Sequence, residues 1–129
     1  MATMNATARL GAFAATAATT RLAPDVAAKA AICLLDSLGL ALASRDEPTA
    51  AAARSMTTQV PQGSRTARIW ADGKHVPLSE AVLANGVAVH AHFQDDTDHD
   101  SWTHPGSLIS PVAVSLGEAM DAPLGTVLK

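Results

Sequence analysis

The chain has 129 residues, 48% of them hydrophobic and 16% charged, which suits one packed domain and excludes a solvation-dominated, disordered chain. Its formal net charge of -3 provides no basic field for a polyphosphate, so nucleic acid is not an expected partner. The single cysteine, Cys33, has no internal disulfide partner and sits in an apolar run, as a small core residue of a cytoplasmic protein would.

Much of the apolar content is alanine, with two Trp, two Phe and no Tyr, so each buried position removes little apolar area from water. Small side chains let helices approach closely, and this composition predicts a helix layer that packs against further helices or another subunit. The first predicted helix runs from about Asn5 to Thr19, with Leu10 and Phe13 among alanines. Pro24 and Asp25 start the second, which runs without Gly or Pro to Gly39. Its apolar residues, including Ile32, Leu35, Leu38 and Leu42, cover nearly the whole circumference, which predicts a central helix and a hydrogen-bonded Asp36. Met1–Leu10 lacks a basic cluster followed by an apolar stretch, and Lys29 and Asp36 interrupt the Ala27–Ala43 run; neither a secretory signal nor a membrane span is expected.

Pro48 opens a third helix to about Thr58, ended by Pro61 and Gly63. Ala67–Pro77 then reads as a short extended pair around Asp72-Gly73, or as an ordered loop. A fourth helix begins at Ser79-Glu80 and carries Val82, Leu83, Val87, Val89 and His90 on to Phe93; Gly86 within it signals close packing or a close approach. Gln94–Pro111 is polar and irregular, and a last helix from about Pro111 carries Val112, Val114, Leu116 and Met120. The expected fold is all-α, about five helices with one short irregular or hairpin connector.

The segment Asp95-Asp96-Thr97-Asp98-His99-Asp100 is the one concentration of polar chemistry, flanked by His90, His92 and His104. Alternating Asp96, Asp98 and Asp100 mimic the opening of a calcium loop, but Ser101 stands where that loop needs its turn glycine and Ser107 where it needs a bidentate glutamate. Zinc would need clustered His or Cys ligands, and His90 and His92, two apart, face different sides of a helix; no metal is expected. General acid–base chemistry needs a carboxylate or imidazole near a labile proton, and this loop supplies both. Four Asp together should also raise the cost of ionising all of them. A solvated acidic loop that merely caps helix ends fits the same residues.

Ala84-Asn85-Gly86-Val87-Ala88-Val89-His90-Ala91, then Asp95-Asp96-Thr97, then Ser101-Trp102-Thr103-His104-Pro105-Gly106-Ser107 stand in the order of blocks that run Ala-Asn-Gly, His, Asp-Asp-Thr and His-Pro-Gly. In these blocks, and in Leu35-Asp36-Ser37-Leu38-Gly39 upstream, the chain resembles the MmgE/PrpD family. That family includes methylcitrate dehydratase, cis-aconitate decarboxylase and iminodisuccinate epimerase. The resemblance implies the amino-terminal part of a large helical domain spanning residues 1–129, without the family's smaller alpha/beta lid.

The resemblance further implies a lyase or isomerase that works next to a carboxylate-stabilised carbanion, without a cofactor, on a small polycarboxylate. His104 would move the proton, Asp95 or Asp96 would orient its ring, and Thr97 would hold a substrate carboxylate; His90 and Trp102 complete the candidate substrate contacts. Phe93 stands where the family generally places an acid, which implies altered substrate binding. Because the family's basic and Tyr site residues come from later helices and the lid, a homodimer or a heteromer with a longer homologous chain is expected. A noncatalytic helical subunit that stabilises such a partner is the rival expectation.

Overall fold

Why the helices begin where they do is legible from proline. In the computed structural model, which describes residues 5–17 and 19–129, α1 spans Ala6–Ala17, α2 Pro24–Ala43, α3 Pro48–Ser55, α4 Leu78–His90, α5 Pro105–Ala119 and α6 Leu124–Val127. Proline occupies the first turn of α2, α3 and α5, where its fixed φ fits and its missing N–H is not needed. Met1–Met4 and Ala18 lie outside the described residues, so part of the expected first helix and of the leader reading falls there.

Between α3 and α4 lies an antiparallel pair, β1 (Thr66–Arg68) and β2 (His75–Pro77), with Thr66 opposite Pro77, Ala67 opposite Val76 and Arg68 opposite His75. The Asp72-Gly73 turn closes it: Gly73 N donates to the Ile69 carbonyl at 2.8 Å, and Lys74 N to Asp72 Oδ1 at 2.9 Å. The pair, rather than an irregular loop, is therefore the connector.

Packing centres on α4, which lies against α2, α3, α5 and both strands. One core cluster gathers Ala67, Ile69, Val76, Ala81 and Ala84 under the hairpin; a second gathers Ala41, Ala50, Ala88 and Val89 between helices. Six of these nine residues are alanine, so the thin core expected from composition is what the fold contains. Serine hydroxyls pin the close approaches: Ser37 Oγ lies 2.9 Å from Ser110 Oγ, and Ser44 reaches the Ala88 carbonyl across the α2–α4 contact.

The second helix runs on past Gly39 to Ala43, as the inclusion of Leu42 among its apolar residues expected. Several expectations need correction. The second helix is not surrounded within this chain: only Ser37 and Ala41 are buried, while Ile32 and Leu35 are 61% and 70% exposed. Asp36 is on the exposed face and has no hydrogen-bond partner among the described residues, so water solvates it. The length and composition of α2 would suit a membrane span, but core helices of soluble proteins share them, so the expectation of no span is not overturned. The third helix stops at Ser55 and the fourth at His90, each three residues before the expected end. The last long helix starts at Pro105, six residues before the expected Pro111, which lies inside it.

Pro111 has no N–H to give to the Ser107 carbonyl one turn earlier. That same carbonyl is where α4 comes closest: a Cβ at Gly86 would stand 3.0 Å from Ser107 O. Gly86 is thus the close-packing position that its mid-helix placement suggested.

Candidate functional site

The site forms where α4 ends and α5 begins. Past His90 the chain reverses through Phe93, whose φ of 57° lies in the left-handed region, and Phe93 N donates to the His90 carbonyl at 2.9 Å. A second left-handed residue, Trp102 (φ 54°), turns the chain back so that Asp98 and Thr103 pair across the loop, Asp98 N donating to Thr103 O at 2.9 Å. Pro105 then starts α5 directly after His104. Two reversals and one helix start therefore bring His90, Asp95 and His104 together.

Asp95 is the hub. Its side chain is only 1% exposed, and its Oδ1 lies 3.0 Å from His90 Nδ1 and 3.4 Å from His104 Nδ1. His90 Nδ1 also lies 3.1 Å from Oδ2. A buried carboxylate needs partners; His90 Nδ1 supplies the hydrogen bond and His104 Nδ1 a longer contact. Nδ1 of each ring is thus turned toward the carboxylate, so that Nε2 is the nitrogen left on the far side of each ring. Thr97 Oγ1 lies 3.5 Å from His104 Nδ1. Phe93 covers the pair: its ring centroid is 4.3 Å from that of His90 and 5.6 Å from that of His104.

The loop aspartates do not form one carboxylate cluster, because Asp95, Asp96 and Asp98 each turn to different partners. Asp96 Oδ1 accepts the Gly106 N–H at 2.6 Å and so caps the start of α5, where bare amides and the helix dipole favour an anion. A Cβ at Gly106 would collide with that oxygen, and it would also come within 3.1 Å of Ser37 Oγ. Asp98 accepts from Ser101 N at 3.2 Å and from the Ser101 hydroxyl, and these bonds hold its carboxyl below its ordinary value, the opposite of the crowding expected. Of the two carboxylates expected to orient His104, Asp95 is the one that lies against its ring. Asp96 is exposed and its carboxylate caps the start of α5.

His92 and His90 part company as their spacing predicted: His92 Nε2 lies 3.1 Å from Glu47 Oε1 at the start of α3. His99 is exposed in the loop.

Both cluster histidines line an open cavity of about 630 Å³ between α4 and α5. Its other walls include Val82, Leu83, Val87, Trp102, Leu108 and Val112, so it is mainly apolar apart from the imidazoles and the Thr103 and Ser107 side chains. Trp102 touches this cavity but is 84% exposed. Neither Asp96 nor Thr97 lines it.

The model of the MmgE/PrpD N-terminal domain family matches residues 8–129. The chain belongs to the MmgE/PrpD family. Comparison with curated proteins gives no match, and comparison with solved structures gives none. The matched span includes the hairpin, the whole of α2 to α6 and every residue of the histidine cluster.

Within this MmgE/PrpD domain, the Ala-Asn-Gly block has a use that the sequence did not disclose. Asn85 is buried; its Oδ1 accepts Trp70 N and its Nδ2 donates to the Arg68 carbonyl, both at 2.9 Å. It takes the place of a third strand for the hairpin's inner edge, so it is more than a packing residue. Glu118 secures the same strand from α5, accepting Arg68 N at 2.9 Å and pairing with Arg68 Nε at 2.6 Å. A buried polar residue facing a short strand with unpaired amides was the available signal.

Proposed function

We propose that this domain forms part of a cytoplasmic lyase or isomerase that removes a proton next to a carboxylate on a small polycarboxylate. The observation that carries the reading is the buried Asp95 engaging Nδ1 of His104, with His104 lining the cavity. A carboxylate on Nδ1 fixes the ring and stabilises the imidazolium that forms when Nε2 takes a proton. The C–H electron pair would then pass into the adjacent carboxylate, and the resulting carbanion would expel a leaving group or be reprotonated on its other face. Thr97 does not line the cavity; its hydroxyl lies beside His104 Nδ1, where it would help to hold the ring.

Among the described residues, no Lys or Arg lines this cavity. A polycarboxylate needs cations there, so we propose that other polypeptide, in a homodimer or a heteromer with a longer homologous chain, supplies them. The rival proposal is a noncatalytic subunit that stabilises such a partner. The exposed Leu10, Phe13, Ile32, Leu35 and Ile109 favour it, because large apolar groups on several helices suit a covered surface.

Purification from the native source, with mass determination of what co-purifies, separates the two when it is followed by proton exchange in D2O on small di- and tricarboxylates. The catalytic proposal expects deuterium at the carbon beside a carboxylate, and loss of that exchange in His104→Ala. Full exchange in His104→Ala assemblies would leave the subunit proposal standing and remove the catalytic one.

A further inference from the structure

We infer that His90, Asp95 and His104 also form a three-ligand site for a borderline divalent ion of the zinc type, and that such an ion silences the His104 base. The donor set is two imidazoles and one carboxylate, all three ligand atoms within 4.8 Å of one another. A tetrahedral ion with bonds of about 2.0–2.1 Å has ligand–ligand edges of roughly 3.3 Å. Two edges are already near that length, 3.0 Å from Asp95 Oδ1 to His90 Nδ1 and 3.4 Å to His104 Nδ1. The third is within 4.8 Å and would close by a modest rotation of the two partly exposed rings. Asp95, by contrast, is buried, and the open cavity provides both an entry path and a fourth position for water.

The His90–His92 spacing gave no such prospect, because it concerned the wrong pair. The ligand that completes the set is His104, fourteen residues after His90 and brought in by the reversals at Phe93 and Trp102. Imidazole-rich ligation selects zinc, cobalt, nickel or copper over magnesium and calcium, which take oxygen donors.

Occupancy and proton transfer exclude each other for a definite reason. An ion on Nδ1 occupies the lone pair that a proton held before, and in a neutral ring that proton then resides on Nε2. Nε2 becomes a donor with no lone pair, so it accepts no proton from a substrate. The silencing half of the inference rests on the proposed proton transfer by His104; the binding half does not.

The test of binding uses the purified chain with Co²⁺, followed by visible absorption, and with Zn²⁺ by calorimetry. One Co²⁺ per chain should give the intense bands of a low-coordinate imidazole site, displaced by Zn²⁺ and untouched by excess Mg²⁺. Asp95→Asn, His90→Gln and His104→Gln should each weaken binding more than about tenfold. His75→Gln and His99→Gln should leave it unchanged. Far-ultraviolet circular dichroism checks that each variant keeps its helices, and three separate ligand variants guard against one misfolded protein. Absence of one-to-one binding, or binding that survives in folded His90→Gln and His104→Gln, overturns the site. In the assembly that exchanges protons, Zn²⁺ should stop exchange and a chelator restore it; binding with exchange unaffected overturns the silencing half alone.

Discussion

Two stretches of α4 are completed in opposite ways. Around Asn85 the chain completes itself: the carboxamide satisfies the strand backbone on both its atoms, and Ile69, Val76, Ala81 and Ala84 close over with almost no exposed surface. Around His90, five residues on, a buried carboxylate holds two rings whose outer edges open on a cavity walled by partly exposed apolar groups such as Leu83 and Leu108. The first region is built for stability, since its polar atoms are spent inside the chain. The second keeps ring nitrogens unspent, which is what chemistry requires and what packing alone would not leave.

The sharpest way to break this contrast is His104→Ala. Turnover of the assembled protein should fall by about 10²–10⁴-fold, the range of a lost general base, while denaturant unfolding shifts by less than about 1 kcal/mol. A large stability loss with unchanged turnover would reverse the assignment of the two regions. Asn85→Ala probes the other side: two backbone groups lose their partners, so unfolding should become easier by about 2–4 kcal/mol in urea titrations, with the cavity rings undisturbed.

Within the loop, neighbouring aspartates should behave differently. Removing the cap in Asp96→Ala should cost about 0.5–2 kcal/mol of stability with little change in turnover. Asp95→Asn should instead act on turnover, because Nδ1 of His104 loses its carboxylate. Equal effects from both variants would mean that the cap and the hub are one unit.

The smallest effect concerns pH. Glu80 accepts Thr58 N and Thr58 Oγ1, both at 2.7 Å, and these bonds hold its carboxyl below its ordinary value of 4.5. A depressed folded-state pKa means that its contribution is complete above 4.5 and fades as pH falls through the lower folded-state value. Thermal melts across that acid range should therefore show a gentler loss in Glu80→Gln than in the unaltered chain. A parallel pair of curves would remove Glu80 from the acid response.

Much of the helical layout could be read from Pro24, Pro48 and the alanine-rich periodic runs, since local propensity and the proline ring act within one turn. The start of α5 could not, because Pro111 looked like a first-turn proline. The turn that it deprives of a hydrogen bond is the one whose Ser107 carbonyl packs against Gly86, a contact across 21 residues. Likewise, Asp95 and Asp96 are adjacent and chemically identical, and only the reversal at Phe93 sends one inward to two imidazoles and the other to the Gly106 amide.

What the sequence determined by itself is the family, the all-α character and the residues from which a site could be made, because block order and helix periodicity are properties of a linear string. Tertiary structure alone decided which carboxylate meets which ring, what Asn85 holds and how much of α2 stays uncovered. Those depend on distances between segments, which side-chain packing sets and which no local pattern encodes.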